Sequence, residues 1–179
     1  MSWARIARRI RVPLGFALAA LYIWLARPTW LSFAIGACIA LLGVALRAAA
    51  SGHITKNAAL TTTGPYARTR NPLYLGSIVI GAGFAAAALN WWIVFAIAVL
   101  FVAIYLPVIG SEEEFLRGKF PEFDDYSRRV PRLLPRFRKG TADTGSFSWQ
   151  RYRKHREYNA LLGTLAMVIA MAVKLVWVR

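Results

Sequence analysis

The chain has 179 residues, 58% of them apolar, and a mean hydropathy of +0.44, which excludes an ordinary soluble domain. Its formal net charge of +15 would suggest nucleic-acid binding in a soluble protein. In a membrane protein such cations flank the spans and meet anionic lipid, so we expect a membrane partner and no nucleic acid. With one Cys and two His, no intrachain disulfide is possible and we expect no metal site.

Five apolar stretches follow one another along the chain: residues 12–26, 30–50, 73–89, 91–109 and 159–178. A helix that crosses a bilayer needs about 20 residues, with a range of about 17–25. The second, fourth and fifth stretches meet this length. The first is short, and we expect it to recruit the preceding basic turn as an uncleaved signal anchor. The third is rich in Gly and Ala, which lets helices approach closely. The pattern predicts an all-α, polytopic membrane bundle of about five transmembrane helices.

The connections and the charges together predict an orientation. Only a few residues separate the first two stretches, and little more than Asn90 separates the third and fourth, so both pairs form tight hairpins. All but three of the 23 Lys and Arg residues lie in residues 1–11, 47–70 and 110–158, and all 8 acidic residues lie in 110–158. By the positive-inside rule the N-terminus and the active or binding surface are predicted to be cytoplasmic. The C-terminus is predicted on the opposite side, across the inner membrane if the source is bacterial.

The stretch GPYARTRNPLYLG, residues 64–76, places two arginines at the start of an apolar segment. Pro72 suits the first turn of a helix, where its missing N–H would be unpaired in any case. The positive helix N-terminus and the forked donors of Arg68 and Arg70 would together bind a carboxylate or a phosphate. From physics alone this anion site competes with a simpler hypothesis, in which the arginines only contact lipid headgroups and set the topology.

Segment 110–158 begins with three adjacent carboxylates, at residues 112–114. One interpretation is a solvated helix start that pairs with nearby arginines; the other is that Glu112 or Glu113 points into the mouth of the bundle. Successive residues on a helix diverge by about 100°, so at most two of the three can face one site. Pro121 should separate two helical pieces, with Pro131 at the end of the second. The apolar residues between them have a spacing that suits docking on the membrane domain: Phe115, Leu116, Phe120, Phe123 and Tyr126.

Neither a dinucleotide-binding fingerprint nor a Walker loop is present in the sequence. A Ser-His-Asp triad would have to use His53 or His155, and no motif supports either.

Taken in order, residues 64–76, the closely linked pair of spans and residues 112–136 resemble the isoprenylcysteine carboxyl methyltransferase family and its phospholipid methyltransferase relatives. The family pattern is Arg-His-Pro-x-Tyr-x-Gly, a helical hairpin, Glu-Glu-x-x-Leu, a Phe, and Tyr-x-x-x-Val-Pro. This chain matches it at residues 70–76, 112–116, 120 and 126–131. Asn71 departs from the pattern, since the family usually has His there. Asn cannot titrate near neutral pH, which excludes a role that needs an imidazole proton.

The resemblance implies an S-adenosylmethionine pocket at the cytosolic face and a lipophilic substrate taken from the bilayer. It implies catalytic roles for Arg70, Glu112 and Glu113. The cofactor-binding residues that it implies are Tyr66, Arg70, Asn71, Pro72, Tyr74, Leu75, Glu113, Tyr126, Arg129 and Pro131. Of these, Tyr126, Arg129 and Pro131 would form a flap over the adenosine.

We therefore expect a single methyltransferase domain over residues 1–179. Its parts would be a hairpin (1–50), a catalytic core with the cofactor pocket (51–136), a connector with an interfacial helix (137–158) and a C-terminal transmembrane helix (159–179). The expected reaction is methyl transfer to the carboxylate of an isoprenylcysteine-like substrate. The alternatives are N-methylation of a phosphatidylethanolamine-type lipid, an NADPH-dependent sterol-type reductase and a non-catalytic lipid-binding protein.

Overall fold

The computed structural model describes residues 3–55, 59–136 and 145–177, and every regular element in these ranges is helical. The elements are α1 (Trp3–Leu25), α2 (Trp30–His53), a 3₁₀ turn (Gly64–Ala67), α3 (Pro72–Ala88), α4 (Trp91–Leu100), a π-helical turn (Phe101–Tyr105), α5 (Leu106–Lys119), α6 (Phe123–Arg129), α7 (Trp149–Lys154) and α8 (Tyr158–Trp177). The prediction of an all-α membrane bundle is confirmed. Much of the predicted connector, residues 137–144, lies outside the described ranges.

Three helices are long and apolar enough to cross a membrane: Trp30–His53, Trp91–Lys119 and Tyr158–Trp177, of 24, 29 and 20 residues. Two shorter apolar helices, Val12–Leu25 and Pro72–Ala88, accompany them. These five helices coincide with the five apolar stretches of the sequence. Helix α1 begins at Trp3, so the basic turn before the first stretch is helical, as expected.

Helices α2 and α3 pack backbone to backbone. A Cβ atom on Gly43 of α2 would lie only 2.7 Å from the carbonyl oxygen of Gly76, and one on Gly83 of α3 only 2.6 Å from the backbone nitrogen of Ala40. Small residues are what permit such close approach between helices. This contact brings the start of α3, with the Arg-Asn-Pro motif that leads into it, to the C-terminal end of α2.

One end of the bundle holds the short hairpin turns. The backbone N–H of Arg27 donates to the carbonyl of Ala88 at 2.9 Å, and the amide of Asn90 donates to the carbonyl of Leu25 at 3.1 Å. Lys174, in the last turn of α8, donates to carbonyl groups at the end of α1. The opposite end therefore holds the loop before α3, the end of α5, helix α6 and the start of α8. These are the segments that carry most of the charged residues.

Helix α8 is anchored at this charged end by a nearly buried ion pair. The Nε and Nη2 atoms of Arg47 in α2 donate to the carboxylate of Glu157 at 2.8–3.1 Å, and the two side chains are 21% and 11% exposed. The Nη1 atom of Arg47 also donates to the carbonyl of Leu73 at 3.1 Å and to the hydroxyl of Ser77 at 2.6 Å. A single guanidinium thus connects α2, the first turns of α3 and the start of α8.

A π-helical turn interrupts the long helix Trp91–Lys119 shortly before the acidic run. Pro107 has no N–H to donate to the carbonyl of Ala103, four residues earlier. The indole N–H of Trp3 donates to that carbonyl at 2.8 Å and ties α1 to the turn. Beyond the turn the helix continues to Lys119, so residues 112–114 lie inside its last turns. The interpretation of the acidic run as the start of a helix is wrong.

Candidate functional site

A cavity of about 300 Å³ opens at the charged end of the bundle, at the lower limit of the size of small-molecule sites. The end of α2, the loop before α3, the last turns of α5 and helix α6 form its walls. The lining residues are Ile54, Thr55, Ala59, Leu60, Thr61, Tyr66, Arg70, Asn71, Glu112, Glu113, Phe115, Leu116, Phe120, Phe123 and Tyr126. One part of this wall is charged and polar, and another part is aromatic and aliphatic.

Glu113 forms the centre of the polar wall, with only 5% of its side chain exposed. Its Oε1 atom accepts a hydrogen bond from Nδ2 of Asn71 at 2.9 Å. Its Oε2 atom accepts two hydrogen bonds from Arg132, from Nε at 3.0 Å and from Nη2 at 2.7 Å. The Nε atom of Arg70 lies 3.6 Å from Oε1. A buried carboxylate is thus held between two guanidinium groups, the arrangement that makes a buried charge tolerable.

Arg70 carries a buried donor without an acceptor. Its side chain is 14% exposed, and among the described residues its Nε atom has no hydrogen-bond partner, since 3.6 Å to Glu113 is too long. The backbone N–H of Arg70 donates to the carbonyl of Pro131 at 2.9 Å, which fixes the position of the residue. Buried polar atoms nearly always have a partner. The Nε–H of Arg70 is therefore a hydrogen-bond donor in the cavity wall that no described residue uses.

Glu112 contributes the second carboxylate of the cavity wall. Its Oε1 atom accepts a hydrogen bond from the hydroxyl of Tyr74 at 2.9 Å, and the described residues give its other oxygen no such bond. Tyr74 packs edge-to-face against Tyr105 of the π-helical turn, with ring centroids 5.7 Å apart. Glu114 is exposed and lies outside the lining. Two of the three adjacent carboxylates face the site, the largest number that the helical geometry permits.

Two buried tyrosines hold α6 against the 3₁₀ turn. The hydroxyl of Tyr126 donates to the backbone carbonyl of Tyr66 at 2.7 Å. Burial raises the pKa of both phenols well above the ordinary value, and for Tyr126 the nearby Arg70 opposes this only in part. Both hydroxyls therefore stay protonated at neutral pH, and Tyr126 acts as a hydrogen-bond donor.

Residues 130–136, which we call the strap, run alongside residues 68–71 of the loop before α3. The backbone N–H of Arg136 donates to the carbonyl of Arg68 at 3.0 Å. The carbonyl of Arg132 accepts hydrogen bonds from the hydroxyl of Thr69 at 3.2 Å and from Nδ2 of Asn71 at 3.1 Å. The strap thus joins the end of α6 to the motif that begins α3.

Six of the residues that the sequence assigned to the site line one cavity: Tyr66, Arg70, Asn71, Glu112, Glu113 and Tyr126. They come from the loop before α3, the end of α5 and α6. Of the two arginines in the anion-site hypothesis, Arg70 lines the cavity opposite Glu113, and Arg68 is exposed and lies outside the lining.

The other five predicted residues lie outside the cavity lining. Pro72 is buried at the first position of α3, and Leu75 follows in the same turn. The hydroxyl of Tyr74 donates to Glu112, which lines the cavity. Pro131 offers its carbonyl to the backbone of Arg70. The structure does not bring Arg129 to the site: its side chain is exposed, and its Nε atom donates to the carbonyl of Asp125 at 3.2 Å.

The sequence did not single out four polar residues of this region: Thr55 and Thr61 in the cavity lining, and Thr69 and Arg132 behind it. The acidic run signals that some cation must approach Glu113, but residues 110–158 contain many Lys and Arg residues and spacing does not distinguish among them. In the ranges that the structure describes, no three His, Cys, Asp or Glu side chains group in a way that would hold a metal ion.

Comparison with known proteins places the chain in a family. Residues 10–122 match phospholipid methyltransferase. The nickel-cobalt-cadmium resistance protein NccN of Alcaligenes xylosoxydans xylosoxydans is 37% identical over 116 residues, 60% of this chain and 53% of that protein. The cobalt-zinc-cadmium resistance protein CzcN of Cupriavidus metallidurans is 35% identical over 136 residues, 70% of this chain and 62% of that protein.

The chain therefore spans 53–62% of the length of these curated relatives. No solved structure matches it. The family match covers more than half of the chain, including the Arg-Asn-Pro motif and the acidic run, and the resemblance drawn from the sequence is confirmed. The chain belongs to the phospholipid methyltransferase family, which is part of the isoprenylcysteine carboxyl methyltransferase type of membrane methyltransferases.

Proposed function

We propose that this chain transfers a methyl group from S-adenosylmethionine to a lipophilic acceptor that enters the cavity from the bilayer. The observation that carries the proposal is convergence: side chains from residues 64–71, 112–116 and 120–126 line a single cavity. Membership of a membrane methyltransferase family supplies the class of reaction. The density of cations at this end of the bundle supports a cytoplasmic location for the site.

The lining suits the cofactor. S-adenosylmethionine, when bound, supplies a methyl group activated by a positively charged sulfonium. The half-buried Phe120 offers an aromatic surface for its adenine ring, with the buried rings of Phe123 and Tyr126 in the same wall. Glu113 accepts three hydrogen bonds and retains acceptor capacity for the ammonium or ribose hydroxyls. The contact predicted for Arg129 stays a prediction, because its side chain would first have to leave Asp125.

The preferred acceptor is a carboxylate, as in an isoprenylcysteine. The guanidinium of Arg70, whose Nε atom makes no hydrogen bond to a described residue, is the donor that we assign to this carboxylate, because a guanidinium fork matches its geometry. A carboxylate nucleophile needs no general base, only alignment and removal of water. The apolar residues Phe115, Leu116 and Leu60 provide the water-poor wall for this alignment.

One observation favours the second candidate, N-methylation of an aminophospholipid. An amine acceptor must lose a proton, and Glu112 lines the cavity with one carboxylate oxygen free of hydrogen bonds from the described residues. In this case the hydroxyl of Tyr74 would hold Glu112 in place. The names of the two relatives concern resistance to metals, state no methyl acceptor and support neither candidate.

A labelled-methyl assay tests the proposal. Purified protein in detergent is incubated with methyl-labelled S-adenosylmethionine, total membrane lipid and a prenylcysteine. An alkali-labile, volatile label indicates a methyl ester, and a stable label on lipid indicates N-methylation. A non-catalytic lipid-binding protein would give no transfer, and an absence of both transfer and cofactor binding would contradict the proposed function.

A further inference from the structure

We propose that Arg132 is a positioning residue that holds Glu113 in the cavity wall and thereby maintains the cofactor site; this inference rests on the proposed function. Arg132 does not line the cavity. It approaches Glu113 from outside, with 50% of its side chain exposed against 5% for Glu113. A largely solvated cation thus closes over a carboxylate that is almost completely buried.

The geometry of the pair accounts for its strength. Two nitrogens of Arg132, Nε and Nη2, donate to the same oxygen of Glu113 at 3.0 and 2.7 Å. Charge-assisted hydrogen bonds of this kind are about twice as strong as neutral ones. A buried carboxylate that loses its cation must reorient or be solvated. Arg70 cannot take over without a shift, because its Nε atom stays 3.6 Å away.

Arg132 also helps to position Asn71, the other side chain that hydrogen-bonds to Glu113. Its backbone carbonyl accepts a hydrogen bond from Nδ2 of Asn71 at 3.1 Å, and the same nitrogen donates to Oε1 of Glu113 at 2.9 Å. The two amide hydrogens of Asn71 are therefore both used, one by the carbonyl of Arg132 and one by the carboxylate of Glu113. Arg132, Asn71 and Glu113 form a closed ring of hydrogen bonds, in which Arg132 contributes the side chain at one contact and the backbone at another.

Apart from Arg70, the other charged or polar groups near Glu113 are engaged elsewhere or face solvent. Arg117 is exposed and donates to Asp124 at 2.8 Å. Glu114 points to solvent, and the hydroxyl of Tyr126 donates to a backbone carbonyl. Among the described residues, Arg132 is therefore the cation that hydrogen-bonds directly to Glu113.

Equilibrium binding of S-adenosylhomocysteine in detergent tests the inference. We expect Arg132→Gln to weaken binding at least about tenfold, because a misplaced buried carboxylate costs more than one charge-assisted hydrogen bond. Arg132→Lys, which keeps the charge but not the two-nitrogen contact, should fall between Arg132→Gln and the wild type. The matched control is Arg128→Gln, since Arg128 is 80% exposed and pairs only loosely with Asp125 at 3.7 Å.

The decisive measurement is a double-mutant cycle with Glu113→Gln. If Arg132 acts through Glu113, the double variant should bind no more weakly than Glu113→Gln alone. Losses that multiply would overturn the inference, as would wild-type affinity in both Arg132 variants. If the wild-type protein binds no S-adenosylhomocysteine, the proposed function fails, and this inference fails with it. If the wild type binds but the Arg132 variants behave otherwise than expected, only this inference fails.

Discussion

The side-chain amide of Asn71 donates to the carboxylate of Glu113 at 2.9 Å, although 42 residues separate them in the chain. Asn71 precedes the first turn of α3, and Glu113 lies near the end of α5. This hydrogen bond therefore joins the two motifs on which the family resemblance depends. Where the family pattern that the sequence resembles has His, Asn71 supplies two N–H donors from one nitrogen without any titration near neutral pH.

Replacing Asn71 by Asp should disable the site. The substitution keeps the shape of the side chain but removes both donors and places a second carboxylate against Glu113. We expect loss of S-adenosylhomocysteine binding and a fall of about 1–3 kcal/mol in the free energy of unfolding, the usual cost of unsatisfied buried groups. Asn71→His, which restores a donor, should retain more binding than Asp. Equal binding by the Asp variant and the wild type would contradict this role.

Replacing Arg70 by Met should separate stability from activity. Arg70 makes no hydrogen bond to Glu113, and Arg132 stays in place, so removing the guanidinium loses only the 3.6 Å ion pair and should cost about 1–3 kcal/mol of unfolding free energy, which leaves the protein folded. Methyl transfer should nevertheless fall by at least about 100-fold, since the donor for the acceptor carboxylate is lost. Thermal unfolding and labelled-methyl transfer are measured on the same preparation. Full activity would show that Arg70 does not contact a reacting group.

The raised pKa of Tyr126 should make the free energy of unfolding depend on pH in the alkaline range. Burial raises its pKa in the folded state, whereas in the unfolded chain it titrates near pH 10. Its contribution is therefore complete below about pH 10 and is lost as the pH rises toward the folded-state pKa. Tyr126→Phe should lower stability by about 1 kcal/mol at pH 8, through loss of the bond to Tyr66, and should make the alkaline decline shallower. Parallel stability curves between pH 9 and 11 would contradict this prediction.

The ion pair between Arg47 and Glu157 should stabilise the attachment of α8. Breaking a buried pair by removing one partner costs about 3–5 kcal/mol, and the partial exposure of 21% and 11% favours the lower figure. We expect Glu157→Gln to lower the unfolding temperature measurably. The control is Asp124→Asn, which breaks an ion pair whose partners are 53% and 58% exposed and should change stability by less than about 1 kcal/mol. Equal effects of the two variants would contradict a structural role for Glu157.

The helices could be predicted from sequence because apolar length is a property of local composition. The two hairpin turns, at Pro28 and Asn90, appear where the sequence placed them. The end of the helix that contains the fourth apolar stretch was harder to predict. Charged residues begin at residue 112, yet the helix continues to Lys119. Backbone hydrogen bonds continue through a change of polarity, so composition alone does not mark a helix end.

The residues of the site that belong to the sequence motifs could be predicted. Arg70, Asn71, Glu112, Glu113 and Tyr126 meet because α2, α3 and α5 bring distant segments together, and the motif order reflects that packing. Arg132 was not predictable, because its role depends on how the strap crosses residues 68–71, which is a tertiary relationship. For Arg129 the motif identified a segment that does lie at the site, but its side chain faces solvent.

Photochemical crosslinking tests the central claim, that this cavity is the S-adenosylmethionine site, most directly. Purified protein is irradiated with methyl-labelled S-adenosylmethionine, with excess S-adenosylhomocysteine as competitor in a parallel sample, and the labelled peptides are mapped by mass spectrometry. We predict competitor-sensitive label on peptides that contain Tyr66 or Phe120, Phe123 and Tyr126, the aromatic lining of the cavity. Label confined to other segments, or label that the competitor does not displace, would contradict the account.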